Sequence, residues 1–123
     1  MKSNIIGFIF VSSLFLITAC DGETGLDGIV VDSASGEKLK EVKVEMTSDY
    51  KHLVIYTDST GNFKTSHSYS CGFKNCDDGF IIEFEKEGYD RLELNNSYEK
   101  DTGHVDITDK REVIVSLVKS NNL

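Results

Sequence analysis

Three cysteines have the most distinctive chemistry of any residues in this chain. One stands alone near the N-terminus, and the other two lie close together. Cys20 ends an apolar run and directly follows residues 17–19 (Ile-Thr-Ala), whereas Cys71 and Cys76 lie close together in the middle of the chain. A thiol can be acylated, oxidised to a disulfide or used as a metal ligand. The residues around each cysteine decide between these fates.

The segment before Cys20 has the features of an export signal. Lys2 gives a positive start, and the apolar stretch 5–17 is too short for a transmembrane helix, which needs about 20 apolar residues. Residues 17–20 resemble a bacterial lipobox. The resemblance implies cleavage before Cys20, a diacylglyceryl thioether on its sulfur and acylation of the new amine by a chain such as palmitate. An ordinary secretory signal and an uncleaved N-terminal anchor are the alternatives.

Export changes the interpretation of the other two cysteines. With Cys20 used for lipid, Cys71 and Cys76 are an even pair in an oxidising compartment, which favours a disulfide between them. Gly72 and Asn75 allow the tight reversal that so short a bridge requires. Closing the loop contributes about 2 kcal/mol in the chain-entropy model. Free thiols, a redox switch and a metal site are the alternatives, although the spacing is not the C-x-x-C of redox motifs.

Composition limits what the remaining chain can do. Of the 123 residues, 104 remain without residues 1–19, which is enough for one domain with a modest core. The net charge changes from −8 to −9, because Lys2 is the only charged residue removed. So acidic a surface disfavours nucleic acid and anionic lipid headgroups as partners. We therefore expect the protein to contact the membrane through the lipid on Cys20.

Short strands are the elements that must position these residues. Seven runs rich in β-branched and aromatic residues are separated by turn residues, and no helical period is long enough to predict a helix. The runs are residues 29–31, 42–46, 53–57, 62–65, 80–85, 91–94 and 113–118. Seven such strands predict an all-β fold, an antiparallel β-sandwich.

Alternation within the strands predicts which side chains form the core. Two triplets are expected to face inward: Val42, Val44 and Met46, and Phe80, Ile82 and Phe84. The run 62–65 is predicted to pair with the run 53–57 across a turn. Residues 95–111 are predicted to form a long polar loop or a weak strand.

Three motifs in this order resemble those of carboxypeptidase regulatory-like domains. They are G-x-V-x-D followed by a turn and a V-x-V strand, then T-D-x-x-G-x-F, then a strand ending in K-x-G-Y. The matching residues are Gly28, Val30, Asp32, Val42 and Val44; Thr57, Asp58, Gly61 and Phe63; and Lys86, Gly88 and Tyr89. The resemblance spans residues 26–118 and implies a transthyretin-like or immunoglobulin-like sandwich of about seven strands.

The chain departs from the family pattern at two places. Lys40 and Glu41 stand where the family usually has Pro and Gly, so the turn before the V-x-V strand is expected to differ. The loop closed by Cys71 and Cys76 is additional, and it is where we expect a specific function. The chain is thus divided into a signal peptide (1–19), a flexible lipidated tether (20–25), the sandwich (26–119) and a tail (120–123).

Metal and catalytic motifs are weak in this sequence. Asp58 and Gly61 lack the ligand spacing of an EF-hand and are expected to form a turn, and Asp32 with Gly36 likewise. His67 with the two later cysteines offers three zinc ligands without the usual spacing, and the histidines are expected in exposed loops. There is no G-x-S-x-G elbow. We predict no metal, no cofactor and no catalytic residue.

These features predict a non-enzymatic lipoprotein of the cell envelope, in the outer or inner membrane of a Gram-negative bacterium. The resemblance implies an accessory or binding module, here for a protein or glycan partner. A structural spacer that assembles through β-edge pairing is the alternative, and a small hydrolase is a third. The aromatic candidates for a binding surface are Tyr50, Tyr56, Phe73 and Tyr98, although core packing explains Tyr56 equally well.

Overall fold

The computed structural model describes residues 21–49, 51–70 and 79–121, which form ten β-strands and one short 3-10 helix, Tyr98–Lys100. In chain order the strands are β1 (Asp21–Thr24), β2 (Asp27–Asp32), β3 (Lys43–Ser48), β4 (His52–Tyr56), β5 (Asn62–Lys64), β6 (His67–Ser70), β7 (Phe80–Glu85), β8 (Leu92–Asn95), β9 (Val105–Ile107) and β10 (Val113–Leu117). Within these ranges, no helix has the length and apolar character needed to cross a membrane.

Eight of the strands form two four-stranded sheets, and the fold is the all-β sandwich predicted from the sequence. The β2 sheet has the order β5-β2-β10-β9, and the β3 sheet has the order β4-β3-β7-β8. Every pair is antiparallel except β2 with β10, in which Val113 lies beside Gly28 and Leu117 beside Asp32. A Cβ atom at Gly28 would collide with the carbonyl oxygen of Val113, so this parallel pairing requires glycine there.

The core lies between the two sheets and contains the predicted residues. Val42, Val44 and Met46 are completely buried, and Phe80, Ile82 and Phe84 are buried on the same side of the neighbouring strand. Each such side chain contributes about 1.5–3 kcal/mol on burial. Phe63 of the β2 sheet meets Phe84 edge to face, with ring centroids 5.2 Å apart, so aromatic packing joins the two sheets.

The predicted pairing of residues 62–65 with 53–57 is wrong. β5 pairs with β2, and β4 pairs with β3 in the other sheet. The Thr57 hydroxyl donates to the Leu39 carbonyl (2.7 Å) and accepts from the Val42 N–H (2.9 Å). Four residues later, the Gly61 carbonyl accepts from the Val30 N–H (2.9 Å). The turn therefore carries the chain from one sheet to the other, although consecutive strands most often pair.

β1 and β6 are strands that the sequence did not predict, and β1 occupies most of the predicted tether. β9 is the strand in residues 95–111, which were predicted to form a long polar loop or a weak strand. β1 pairs with β6 from Asp21 beside Ser70 to Thr24 beside His67, in the register that β2 and β5 continue. We call this pair the ribbon. The residues of β1 are weak strand formers, so only the pairing with β6 reveals it. Cys20 directly precedes the tip of the ribbon.

Asp58 caps a turn, as predicted. Its Oδ1 accepts hydrogen bonds from the Thr60 hydroxyl (2.8 Å), the Thr60 N–H (2.9 Å) and the Asn62 N–H (3.0 Å). These bonds, with that of the Thr60 hydroxyl as the largest influence, lower the pKa of Asp58. Gly61 has φ +77°, which favours glycine. The turn is thus explained without a bound calcium ion.

Candidate binding site

The predicted modification sites lie outside the described residues. Cys20, Cys71 and Cys76 fall there, as do two of the four aromatic candidates, Tyr50 and Phe73. Lipidation and the disulfide therefore remain predictions. The structure places the other two aromatic candidates at opposite edges of the β3 sheet.

Those two tyrosines differ in their surroundings. Tyr56 projects from β4 with 62 % of its surface exposed, so core packing does not explain it. Tyr98 is half-buried in the 3-10 helix between β8 and β9. Tyr98 borders two clefts that could hold a ligand.

The histidines are less often in loops than predicted. His52 lies in β4 and His67 in β6, and only His104 lies in a turn. His52 Nε2 is 2.8 Å from Glu45 Oε2, and His104 Nδ1 is 3.0 Å from Asp101 Oδ1. In the described part of the chain, no three His, Cys, Asp or Glu side chains are grouped so that they could hold a metal ion.

A buried carboxylate at the end of β2 forms the first polar cluster. Asp32 is 3 % exposed, and its Oδ1 accepts the N–H groups of Ala34 (2.8 Å) and Ser35 (3.0 Å). Its Oδ2 accepts the Tyr89 hydroxyl (2.7 Å) and lies 3.9 Å from Lys119 Nζ. We call these groups the Asp32 cluster. It confirms that Asp32 caps a turn and also ties β2 to the turn after β7 in the opposite sheet.

Hydrogen bonding fixes the protonation states of the Asp32 cluster. The Tyr89 hydroxyl, followed by the Ser35 N–H, lowers the pKa of Asp32 to about 2. The same bond raises the pKa of Tyr89 to about 12. At neutral pH the pair is therefore a carboxylate and a phenol, and both Asp32 oxygens already have donors. This arrangement stabilises the fold and leaves little for a ligand.

A second polar cluster surrounds Tyr98, where the chain crosses from β8 in one sheet to β9 in the other. The Tyr98 ring lies 6.4 Å from the Phe80 ring at 39°, so one part of it packs on the core. Burial, more than the nearby Glu99, raises the pKa of Tyr98. The ring thus has a fixed position at the surface of the sandwich.

Hydrogen bonds hold the crossover on both sides of Tyr98. Before it, the Asn96 side chain accepts the Phe80 N–H (2.6 Å), and the Asn95 side chain accepts the Ser97 N–H (2.8 Å). After it, the Asp101 carbonyl accepts the Val105 N–H (2.9 Å). The surface around Tyr98 is therefore largely formed before any ligand binds.

Two open clefts flank Tyr98. The first has a volume of about 450 Å³ and the second about 580 Å³. Besides Tyr98, the first is lined by Glu93, Leu94, Asn95, Ser97, Lys100 and Asp101, and the second by Glu99, Ile107, Arg111 and Val113. Val113 pairs with Gly28 at the start of β2, so the second cleft lies at the end of the sandwich from which the ribbon extends.

Four charged side chains line these clefts without a close polar partner among the described residues. Glu93, Glu99, Lys100 and Arg111 form no side-chain hydrogen bond or ion pair within the described residues. Each cleft thus offers an aromatic surface together with an unpaired acid and an unpaired base. Such a site can bind a polar molecule that also has an apolar face.

Sequence reasoning identified Tyr98 but missed the charged residues around it. Glu93 was placed in a strand, and Arg111 at the end of a polar loop. They meet at the same tyrosine only because β8 pairs with β7 in one sheet and β9 pairs with β10 in the other, and no local motif marks that meeting. No protein-family model, no curated protein and no solved structure matches this chain.

Proposed function

We propose that this protein is a lipid-anchored, non-enzymatic binding module of the bacterial cell envelope, of the carboxypeptidase regulatory-like type. Its partner is a glycan or an envelope protein, bound at the clefts beside Tyr98. The observation that carries the proposal is the set of unengaged acids and bases around a ring that packing already holds in place. A ligand there would meet a largely preformed surface.

The contact within the Asp32 cluster supports the family assignment. Asp32 ends the first motif of the resemblance and Tyr89 ends the third, and their side chains are 2.7 Å apart. Gly28 of the first motif is required by the parallel pairing with β10. Residues of the first and third motifs thus each have a structural role in the sandwich.

His104 and Ser116 are the residues at which a catalytic role can be tested, because both line one small cavity. His104 is oriented by Asp101, and it lines a cavity of about 90 Å³ with Ser116. Within the described residues, the Ser116 hydroxyl donates no hydrogen bond to the imidazole, so no nucleophile is paired with a base. Covalent labelling of Ser116 by a fluorophosphonate probe would contradict a non-enzymatic role.

The lipid anchor is tested by labelling cells with an alkyne fatty acid. The full chain should incorporate the label and stay in the membrane fraction, whereas Cys20→Ser should lose both properties because the thiol is the acyl acceptor. Cys71→Ser is the matched control and should retain the label. Equal labelling of Cys20→Ser would exclude the anchor.

Cleft binding is tested with the full-length protein in detergent micelles. The glycan probes are soluble peptidoglycan fragments and oligosaccharides released from lipopolysaccharide, and photo-crosslinking in intact cells covers protein partners. Tyr98→Ala should weaken capture at least about fivefold, since burying an aromatic anchor contributes roughly 1–3 kcal/mol. Tyr56→Ala is the control at the opposite edge. Equal binding by both variants would exclude the clefts.

One observation favours the second candidate function, a structural subunit that assembles by edge pairing. β4 is an edge strand of five residues with no Asp, Glu, Lys or Arg. Edge strands usually carry such charges because they prevent pairing with other chains.

A further inference from the structure

The four edge strands of the two sheets are not equally protected against pairing. β5 has Lys64, β8 has Glu93 and β9 has Asp106, and each of these strands has only three or four residues. β4 has five residues and no formal charge. Within the described residues no strand lies beyond it. Its outer side chains, His52, Val54 and Tyr56, are exposed.

The backbone groups of β4 that point away from the sheet belong to the same three residues. Hydrogen bonds join the Ser48 N–H to the Lys51 carbonyl (2.8 Å) and the Thr57 N–H to the Val42 carbonyl (3.0 Å). Antiparallel pairing alternates, so residues 53 and 55 also bond to β3. The N–H and C=O groups of residues 52, 54 and 56 therefore face outward.

We propose that two copies of this chain pair through β4, antiparallel about a two-fold axis at Val54. Val54 then lies opposite the partner copy's Val54, and His52 lies opposite the partner copy's Tyr56. The β3 sheets of the two copies become one continuous sheet of eight strands. The inference rests on the second candidate function above and names its partner.

The edge is complementary to itself. In this register β-branched side chains meet at the centre, an aromatic ring meets an imidazole on either side, and no like charges stand opposite each other within the strands. Lys51 precedes β4 and Asp58 follows it, so an antiparallel pair brings the basic end of each strand beside the acidic end of the other. A C2 pair requires such self-complementarity.

The pairing leaves the Tyr98 clefts free, because β8 is at the opposite edge of the β3 sheet. It also sets the orientation of the pair. The two ribbons point in opposite directions along the strands, so both lipids reach one membrane only if the strands run along its surface.

A cysteine at the axis tests the geometry. The Cα atoms of an opposed, hydrogen-bonded pair are about 5.5 Å apart, within the range of about 4.4–6.8 Å that a disulfide spans. The full-length chain with Val54→Cys, expressed in a bacterial envelope, should give a disulfide-linked dimer of this chain on mild oxidation. Asn95→Cys, at the β8 edge, and the unchanged chain should not. Crosslinking of Val54→Cys to a different protein instead would overturn the proposal.

Charge reversal tests the two-fold axis. Two differently tagged full-length copies are expressed together, and recovery of one with the other is measured. Val54→Lys in both copies should lower recovery about fivefold because like charges face each other, and Val54→Glu in both should do the same. When a Val54→Lys copy is expressed with a Val54→Glu copy, the recovery should return at least to that of the unchanged chain, because opposite charges then face each other.

If the Val54→Lys copy and the Val54→Glu copy are not recovered together, self-pairing at Val54 is excluded. Val54 is 40 % exposed, so these variants should fold, and unchanged melting temperatures confirm it. Binding at the clefts provides the second readout. Tyr98→Ala should pair normally, and Val54→Lys should bind cleft ligands normally. A failure of self-pairing can therefore be distinguished from a failure of ligand binding.

Discussion

The Asp32 cluster and the Tyr98 clefts are both polar, but they lie at opposite ends of the sandwich and use their charges differently. Both oxygens of Asp32 are occupied by donors from the same chain. Around Tyr98, four charged side chains have no hydrogen bond or ion pair within the described residues. A polar cluster that satisfies itself stabilises a fold, whereas one that does not is available to a ligand.

Asp32 was expected in a turn, but neither its contact with Tyr89 nor the clefts could be anticipated from a motif. The Asp32 cluster joins the end of β2 to the turn after β7 through a single hydrogen bond between Asp32 and Tyr89. The clefts use residues from β8, the 3-10 helix and the β9–β10 turn, which no pattern connects. Four predictions test the contrast.

The largest effect on stability is expected in the Asp32 cluster. Tyr89→Phe should lower the free energy of unfolding by about 1–2 kcal/mol, because it removes a hydrogen bond to a charged and largely buried acceptor. Urea unfolding measures this. In an Asp32→Asn background the same change should cost clearly less. Additive losses would show that the two groups act independently. Cleft binding by Tyr89→Phe should not change.

The pH dependence of stability should also come from this cluster. The folded pKa of Asp32 is about 2, below the value of about 3.9 for an unfolded aspartate. Its contribution is therefore complete above pH 5 and is lost as the pH falls through 4 towards 2. Urea unfolding at several pH values should show a shallower decline for Asp32→Asn than for the unchanged chain. Parallel declines would contradict the assignment.

A smaller effect on stability is expected at Arg111, where a single substitution should change stability and ligand binding in opposite directions. Arg111 has φ +60°, a conformation that costs a non-glycine residue about 1–2 kcal/mol. Arg111→Gly should raise the free energy of unfolding by about 0.5–1 kcal/mol. It should also weaken ligand capture, since the guanidinium leaves the second cleft. Arg111→Ala is the control, which should lose binding without gaining stability.

The smallest effect is expected at Glu41, which has φ +58° outside the clefts. Glu41→Gly should stabilise the protein by about 0.5 kcal/mol or slightly more, because glycine adopts this conformation freely. Thermal unfolding measures the stability, and ligand capture measures the binding. Binding should stay the same, in contrast to Arg111→Gly. A loss of binding here would mean that the two strained residues are not functionally different.

The sandwich and most of its core could be predicted because the strands alternate strongly. Val42, Val44 and Met46, for example, are completely buried as expected. The sheet to which β5 belongs could not be predicted, since the hydrogen bonds that separate it from β4 involve Thr57 and residues far away in the chain. Glu41 takes a left-handed conformation typical of glycine, which a non-glycine residue in the sequence does not predict.

The candidate site was only partly predictable. Tyr98 was identified as an aromatic candidate, but Arg111 is thirteen positions away and reaches the same ring only after β9 and β10 have paired. β1 was missed for a similar reason, because its residues form a strand only against β6. Long-range pairing, which a single sequence does not display, accounts for both omissions.

The parallel pairing of β2 and β10 has a mechanical consequence. Both strands run in the same direction along the sandwich, so the N-terminal start of β2 and the C-terminal end of β10 are at opposite ends of the molecule. Tension applied between the start of β2 and the end of β10 would act along these strands. It would load their hydrogen bonds together, in shear, so that several bonds must break at once before the two strands separate.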